Sequence, residues 1–447
     1  GSFFNPGPYS GYLAITLPVA LGILLEQSKR NMPYYLSMGC IGTAIVVLPA
    51  GMSRSAWIAV VVSCAWVYAL YRLDRKQAAT RLRQHKRWYI IGGILGGILL
   101  LGGGASLYTL KKDSADGRFL MWKITTKAIQ KQPITGTSLG GFPAAYAETQ
   151  AEYMASGKAT EQEKLVAGCP EYAFNEYLQI GLEQGLVGLA LFIGWLGLLF
   201  YKGIKNKRYA CCGGLMSLAI FAFSSYPLQL PEFWVVLIFL GVMSVTPDKD
   251  EIRENQAESN GHRWGKQIFF MGIAILGIGL FWMQKDHYKA YQQWNKAQMY
   301  YKNKAYEAAL EVYEPLYPLL KHKPEFLFEV AQCLSKTGRY EKANGYLERA
   351  VLLSSDPMLY YVMAKNEQCL GEYRQAEKHL LHAIDILPER IYPYYLLMNL
   401  YTEPSYFQPA KLKMAIDSVL TKKPKVESSA IKEMKEKARS MLNNTSI

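Results

Sequence analysis

The sequence predicts an all-α protein: a polytopic transmembrane helical bundle with about eight visible spans, followed by an α-solenoid of short helical repeats. Three observations carry this expectation. Long apolar runs recur up to about residue 283 and then stop. The loops between them alternate between basic and non-basic. Beyond residue 283, one short signature returns at the spacing of paired-helix repeats.

The averages conceal two unlike halves, since the whole chain is 50% hydrophobic and 19% charged. The net charge of +14 would suit a nucleic-acid partner if it formed a patch. Much of the basic excess instead lies in short loops between apolar runs, where it reads as a topology signal, so no nucleic acid is expected. The seven cysteines show no metal-ligand spacing and read as packing residues. The opening Gly-Ser reads as an added scar, with further spans expected upstream.

The expected spans are 9–25, 33–50, 55–71, 88–109, 176–201, 209–225, 231–246 and 267–283. Three linkers are basic: 26–31 with Lys29 and Arg30, 72–87 with seven Lys or Arg, and 202–208 with four. They fall on one side, which the positive-inside rule makes the cytoplasm. The long loop 110–175 and everything after about residue 284 then face outward and share one compartment. The domains expected are 1–283 in the membrane and 284–447 outside it.

The C-terminal signature is Gly-x-Tyr-x-x-Ala. It reads Gly338-Arg-Tyr340-Glu-Lys-Ala343 and Gly371-Glu-Tyr373-Arg-Gln-Ala376, with Lys304-Ala-Tyr306-Glu-Ala-Ala309 before them. This resembles the tetratricopeptide repeat, in which small residues let paired helices pack closely. Three repeats are expected over 288–388, a degenerate fourth over 392–424, and a capping helix over 427–442. Such arrays usually hold a protein partner in their concave groove; a rigid spacer or lid is the other reading.

The chemistry concentrates in the stretch from Asp116 to Gly188. None of the six histidines lies in the loop 110–175, so metal ligation and histidine-assisted nucleophilic catalysis are not expected there. The glycines of Gly136-Thr-Ser-Leu-Gly-Gly141 lack the context of a phosphate loop and read as a tight turn after Pro133. Arg54 and Arg118, both outward-facing near the lipid boundary, suit a diphosphate that guanidinium can grip bidentately. Lipid headgroups, or ion pairs with Asp113, Asp116 or Glu171, would explain them equally.

Four segments then resemble the O-antigen ligase superfamily, in that family's order and over about residues 1–245. They are Phe4-Asn-Pro-Gly-Pro-Tyr-Ser-Gly-Tyr-Leu-Ala14, Ser53-Arg54-Ser-Ala56, and Asp116-Gly-Arg118-Phe-Leu-Met-Trp122 with the following Pro133 to Phe142. The fourth is Asn175-Glu-Tyr-Leu-Gln179 with Glu183-Gln-Gly185-Leu-Val-Gly188. The resemblance implies transfer of a glycan from an undecaprenyl diphosphate carrier to an acceptor hydroxyl, on lipid A-core or on protein, without metal or other cofactor. It assigns the donor diphosphate to Arg54 and Arg118; Asn5, Asn175 and Gln179 are the candidate substrate ligands, with inter-helix hydrogen bonds an equal reading for Asn175 and Gln179. One position departs from the pattern: Phe174 stands where the ligases carry the histidine taken to activate the acceptor. A base would then be Glu171, Glu176 or Glu183, with Glu171 favoured. The competing expectation is a membrane-anchored repeat scaffold, or a polymerase-like assembly protein, without ligase activity.

Overall fold

The computed structural model describes residues 5–27, 29–74, 112–247, 263–424 and 426–444. Their regular structure is all helical, with no strand among the described residues. The chain forms two compact units that interleave in sequence. Unit 1 comprises Gly1–Trp122, Ile129–Thr137 and Tyr172–Gly261; unit 2 comprises Lys123–Ala128, Ser138–Glu171 and His262–Ile447.

In unit 1 the capping residues set the helix starts. The Asn5 side chain accepts a hydrogen bond from Gly7 N at 2.9 Å and opens α1 (Pro6–Glu26). Asn31 opens α2 (Met32–Val47) in the same way. A 3-10 turn over Leu48–Gly51 and a left-handed Met52 (φ 44°) then lead into α3 (Arg54–Asp74). The helix α4 (Lys112–Lys131) gives residues to both units, and α5 (Phe142–Ala155) and α6 (Glu161–Val166) belong to unit 2. The chain returns to unit 1 with α7 (Glu176–Glu183), α8 (Gly185–Lys205), α9 (Tyr209–Ala222) and α10 (Pro231–Val245). Small residues allow close packing here: Gly11 meets the Phe221 ring, and the buried Ser217 hydroxyl donates to Ala14 O at 2.7 Å.

Four stretches among the described residues are long and apolar enough to cross a membrane: α1, Met32–Gly51, α3 and α8. The chain is a membrane protein. The expected spans at 209–225 and 231–246 are the shorter apolar helices α9 and α10. At 1.5 Å per residue the 14 residues of α9 reach about 21 Å, short of a hydrocarbon core of about 30 Å. The expected span 88–109 and most of the linker 72–87 lie outside the described residues. The last expected span falls within α11 (Arg263–Met283), which belongs to unit 2.

The expected continuous span over 176–201 is instead two helices, α7 and α8, broken at Gln184. Its cause is a neighbouring strip of chain. Thr137 N donates to Leu182 O at 2.9 Å and Leu186 N to Pro133 O at 2.8 Å, so residues 133–137 replace helical hydrogen bonds at the break. Gly185 is left-handed (φ 69°), and a Cβ there would overlap the Ile134 carbonyl; a Cβ on Gly136 (φ 69°) would overlap the Glu183 backbone.

Unit 2 carries the repeats as helix pairs. They are α12 (Lys285–Lys302) with α13 (Tyr306–Tyr313) and the short α14 (Tyr317–Leu320), then α15 (Pro324–Lys336) with α16 (Tyr340–Val351). Next come α17 (Met358–Leu370) with α18 (Tyr373–Ile386), α19 (Ile391–Leu400) with α20 (Pro409–Thr421), and the final α21 (Ser429–Asn444). The signature alanines Ala309, Ala343 and Ala376 are fully buried, as close helix packing requires. Lys304 adopts the left-handed turn (φ 62°) at the position held by Gly338 and Gly371 in the next two repeats. The outer-loop helix α5 packs against α18. The fully buried Gln150 amide donates to Gly168 O at 3.0 Å and Ile386 O at 2.8 Å, while its oxygen accepts from the Tyr146 hydroxyl at 2.7 Å.

Gly185→Ala is expected to destabilise unit 1 by about 1–3 kcal/mol, since backbone strain and overlap add. Thermal unfolding of the detergent-purified protein checks this, with Gly194→Ala as control: a Cβ there meets nothing within 4 Å.

Candidate functional site

The polar end of unit 1 gathers around two guanidinium groups. Arg54 is the first residue of α3, and Arg118 lies on α4. Arg118 Nη1 donates to Ser224 O at 3.0 Å, and its guanidinium sits 5.3 Å from the centre of the Phe174 ring. Burial first, and then the nearby Arg54 charge, lower the Arg118 pKa from its ordinary value. The two arginines are thus electrostatic neighbours, and no carboxylate pairs with Arg118 among the described residues.

The surroundings are assembled by loops. Past the end of α9 the Ser224 carbonyl is free of helical bonding and accepts from Arg118, while the Ser224 hydroxyl donates to Ser55 Oγ at 2.7 Å. Phe174 is left-handed (φ 49°) and meets Tyr226 edge-on at 4.9 Å; Tyr226 stacks on Tyr172 at 5.2 Å. Beside this lies an apolar groove of about 430 Å³, whose walls include Ser55, Ile58, Ala219, Ile220, Phe223 and Ser224.

The other expected site residues are held by internal bonds. Asn175 is buried and caps α7, accepting from Leu178 N at 3.1 Å. Gln179 accepts from Ala173 N at 3.0 Å and donates to the buried Glu183 at 3.3 Å. Both oxygens of Glu176 are engaged: one accepts from Leu228 N at 2.6 Å and the other from Gln229 Nε2 at 3.0 Å. Asn5 is exposed and caps α1. Glu171 is exposed and belongs to unit 2, unlike Arg54 and Arg118.

Sequence reasoning missed Ser55, Ser224 and Tyr226. The signal was present: Ser224-Ser225-Tyr226 interrupts two apolar helices with polar groups that need partners. Phe174 was noticed only as a missing histidine, whereas the structure places its ring against Arg118.

Residues 39–193 match the O-antigen ligase family model, and residues 302–383 match the model for anaphase-promoting complex, cyclosome, subunit 3. The chain therefore combines an O-antigen ligase-type domain, which points to glycan transfer, with a tetratricopeptide-like domain of the kind that engages proteins. Asn5, Ser224 and Tyr226 lie outside the matched segments. No curated protein matches the chain. Among solved structures, the crystal structure of MamA protein is similar at 16% identity, covering 34% of this chain and 88% of that one with a TM-score of 0.29.

Burial raises the Glu176 pKa from 4.5 to about 7, with hydrogen bonds from Gln229 and Leu228 opposing the shift. The folded state therefore holds the proton more tightly than the unfolded chain, so the Glu176 contribution to stability falls as pH rises from 4.5 through about 7. Glu176→Gln removes that titration. Its melting temperature relative to the native protein should rise between about pH 5 and about pH 8, by the equivalent of 1–3 kcal/mol in order of magnitude. Thermal scans at the two pH values check it.

Proposed function

We propose that unit 1 transfers a glycan from an undecaprenyl diphosphate carrier to an acceptor hydroxyl at the outer face of the membrane. The observation that carries this reading is that Ser224, which accepts from Arg118 and bonds Ser55 next to Arg54, lines an apolar groove with Ser55. Two guanidinium groups match a diphosphate, and the groove walls of Ile58, Ala219, Ile220 and Phe223 suit the first isoprene units of a lipid carrier. The leaving diphosphate gains negative charge as the glycosidic bond breaks, so fixed cations stabilise the transition state more than the ground state. These cations supply the charge that a metal would otherwise bring, and the reading needs none. Phe174, in this view, orients Arg118, and Asn175, Gln179 and Asn5 shape the site around the sugar.

The acceptor proton goes to one of the three carboxylates or to solvent. Loss of a true base lowers transfer by roughly 10²–10⁴-fold, whereas loss of a packing carboxylate changes the melting temperature instead. Gln at Glu171, Glu176 and Glu183 in turn separates these roles. A lipid A-core acceptor fits the ligase-type domain; a protein acceptor fits the repeats.

Arg54→Ala or Arg118→Ala should lower transfer by roughly 10²–10³-fold while the protein still inserts into the membrane. The assay uses purified protein, a lipid-diphosphate-linked oligosaccharide and a chelator, which should have no effect. Undiminished transfer in both variants sinks the donor-site reading, and recruitment of envelope proteins without any transfer would favour the scaffold.

The basic linkers at 26–31 and 202–208 support an outward-facing site and an outward-facing repeat domain. A membrane-impermeant maleimide should therefore label the exposed Cys369 in intact spheroplasts. Labelling only after lysis would reverse the topology.

A further inference from the structure

Three aromatic side chains of unit 1 form a short array that starts at Arg118. The guanidinium lies 5.3 Å from the centre of the Phe174 ring, and Phe174 meets Tyr226 edge-on at 4.9 Å. Tyr226 then stacks on Tyr172 at 5.2 Å, with the ring planes 19° apart. Core aromatics of the same unit are enclosed: Phe221 and Phe233 also stack, at 6.1 Å, but are 1% and 0% exposed. Tyr172, Phe174 and Tyr226 are only half-buried. Packing alone does not account for three rings left partly open beside a charge.

The array also holds strain. Phe174 is left-handed (φ 49°), a conformation that costs a bulky residue about 1–3 kcal/mol and persists only where its surroundings impose it. Both chain neighbours are tied to α7, since Asn175 caps that helix and Ala173 N donates to Gln179 Oε1 at 3.0 Å. Two polar groups at the array keep capacity for a ligand. Among the described residues, Arg118 donates a hydrogen bond only through Nη1, to Ser224 O. The Tyr226 hydroxyl forms no hydrogen bond among them and is open to solvent.

Contacts run in one order, from the apolar groove through Ser224 and Arg118 to Phe174, Tyr226 and Tyr172. A sugar linked through diphosphate to a lipid has the same order of chemistry: isoprene, then charge, then a pyranose. A pyranose presents an apolar C–H face and a rim of hydroxyls, which suits an aromatic ring with an uncommitted phenol at its edge. We infer that Tyr226 and Tyr172, held in place by Phe174, form the subsite for the donor's first sugar. The open ring surfaces cover its C–H face, and the Tyr226 hydroxyl donates to a sugar oxygen. This subsite rests on the glycan-transfer reading and makes the two tyrosines the residues that select the sugar.

The test is calorimetric titration of the full-length protein in detergent micelles with two kinds of probe. One is farnesyl diphosphate; the other is the same diphosphate carrying glucose, galactose or N-acetylglucosamine. At least one conjugate should bind the native protein roughly tenfold more tightly than farnesyl diphosphate. Tyr226→Leu and Tyr172→Leu should each remove most of that gain, and Tyr226→Phe roughly threefold of it. All three should keep the affinity for farnesyl diphosphate, which also shows that the site is folded. Arg118→Ala should weaken both probes alike. The proposal is overturned if no conjugate gains over farnesyl diphosphate, or if Tyr226→Leu keeps the gain. It is equally overturned if Tyr226→Leu weakens both probes to the same extent, since the rings then serve Arg118 and not a sugar. Those outcomes leave the donor-site reading standing. If Arg54→Ala and Arg118→Ala weaken neither probe, the donor-site reading falls and this subsite falls with it.

Discussion

The polar end of unit 1 depends on keeping two like charges close together without a carboxylate beside Arg118. A guanidinium that is half-buried and next to another cation is held against its own electrostatics. What offsets this is local and modest: one carbonyl, Ser224 O, and the face of one aromatic ring, Phe174. Neither neutralises charge. The diphosphate proposed above would offset both the burial of Arg118 and its repulsion from Arg54.

Irregular backbone makes the arrangement possible. The carbonyl that Arg118 uses is available because α9 has ended. The turn that follows stays in place because the buried Glu176 accepts from Leu228 N and Gln229. Glu176 sits on α7, which exists as a separate helix because residues 133–137 occupy the break at Gln184. Each of these links satisfies a backbone group that an apolar setting would otherwise leave unpaired. The site is therefore a consequence of how three helix ends are closed.

The sequence was most legible where a period repeats. Helix pairs in unit 2 fall where the Tyr and Ala spacing put them, because one signature specifies one packing problem again and again. Of the apolar runs, those at 9–25, 33–50 and 55–71 coincide with stretches long enough to cross a membrane. The break at Gln184 was not legible, since Glu183-Gln184-Gly185 lies inside an apolar run and no proline marks it. Its cause is a contact with residues about fifty positions earlier, and local pattern reading has no access to that. Arg54 and Arg118 were found by cost, as cations near lipid. Ser224 falls inside the expected span 209–225 and Tyr226 directly after it, so local pattern marks neither. The expected ligands Asn175 and Gln179 turned out to hold backbone, a role that the same residue types fill whenever a helix begins in an apolar place.

The outer loop shows how far a domain boundary drawn from hydropathy can stray from the folded unit. Residues 138–171 were read with the membrane half because the chain reaches them between two spans. In the structure Phe142 and Tyr146 are almost fully buried within unit 2, and Gln150 reaches Ile386 O, 236 positions away. His382 adds a contact to Glu148 at 3.4 Å. Removing the repeats would expose those two rings and strand a buried amide, at a cost of about 1–3 kcal/mol for the amide alone. A truncation of the C-terminal half is therefore not a subtraction of one function; it unfolds part of the loop as well.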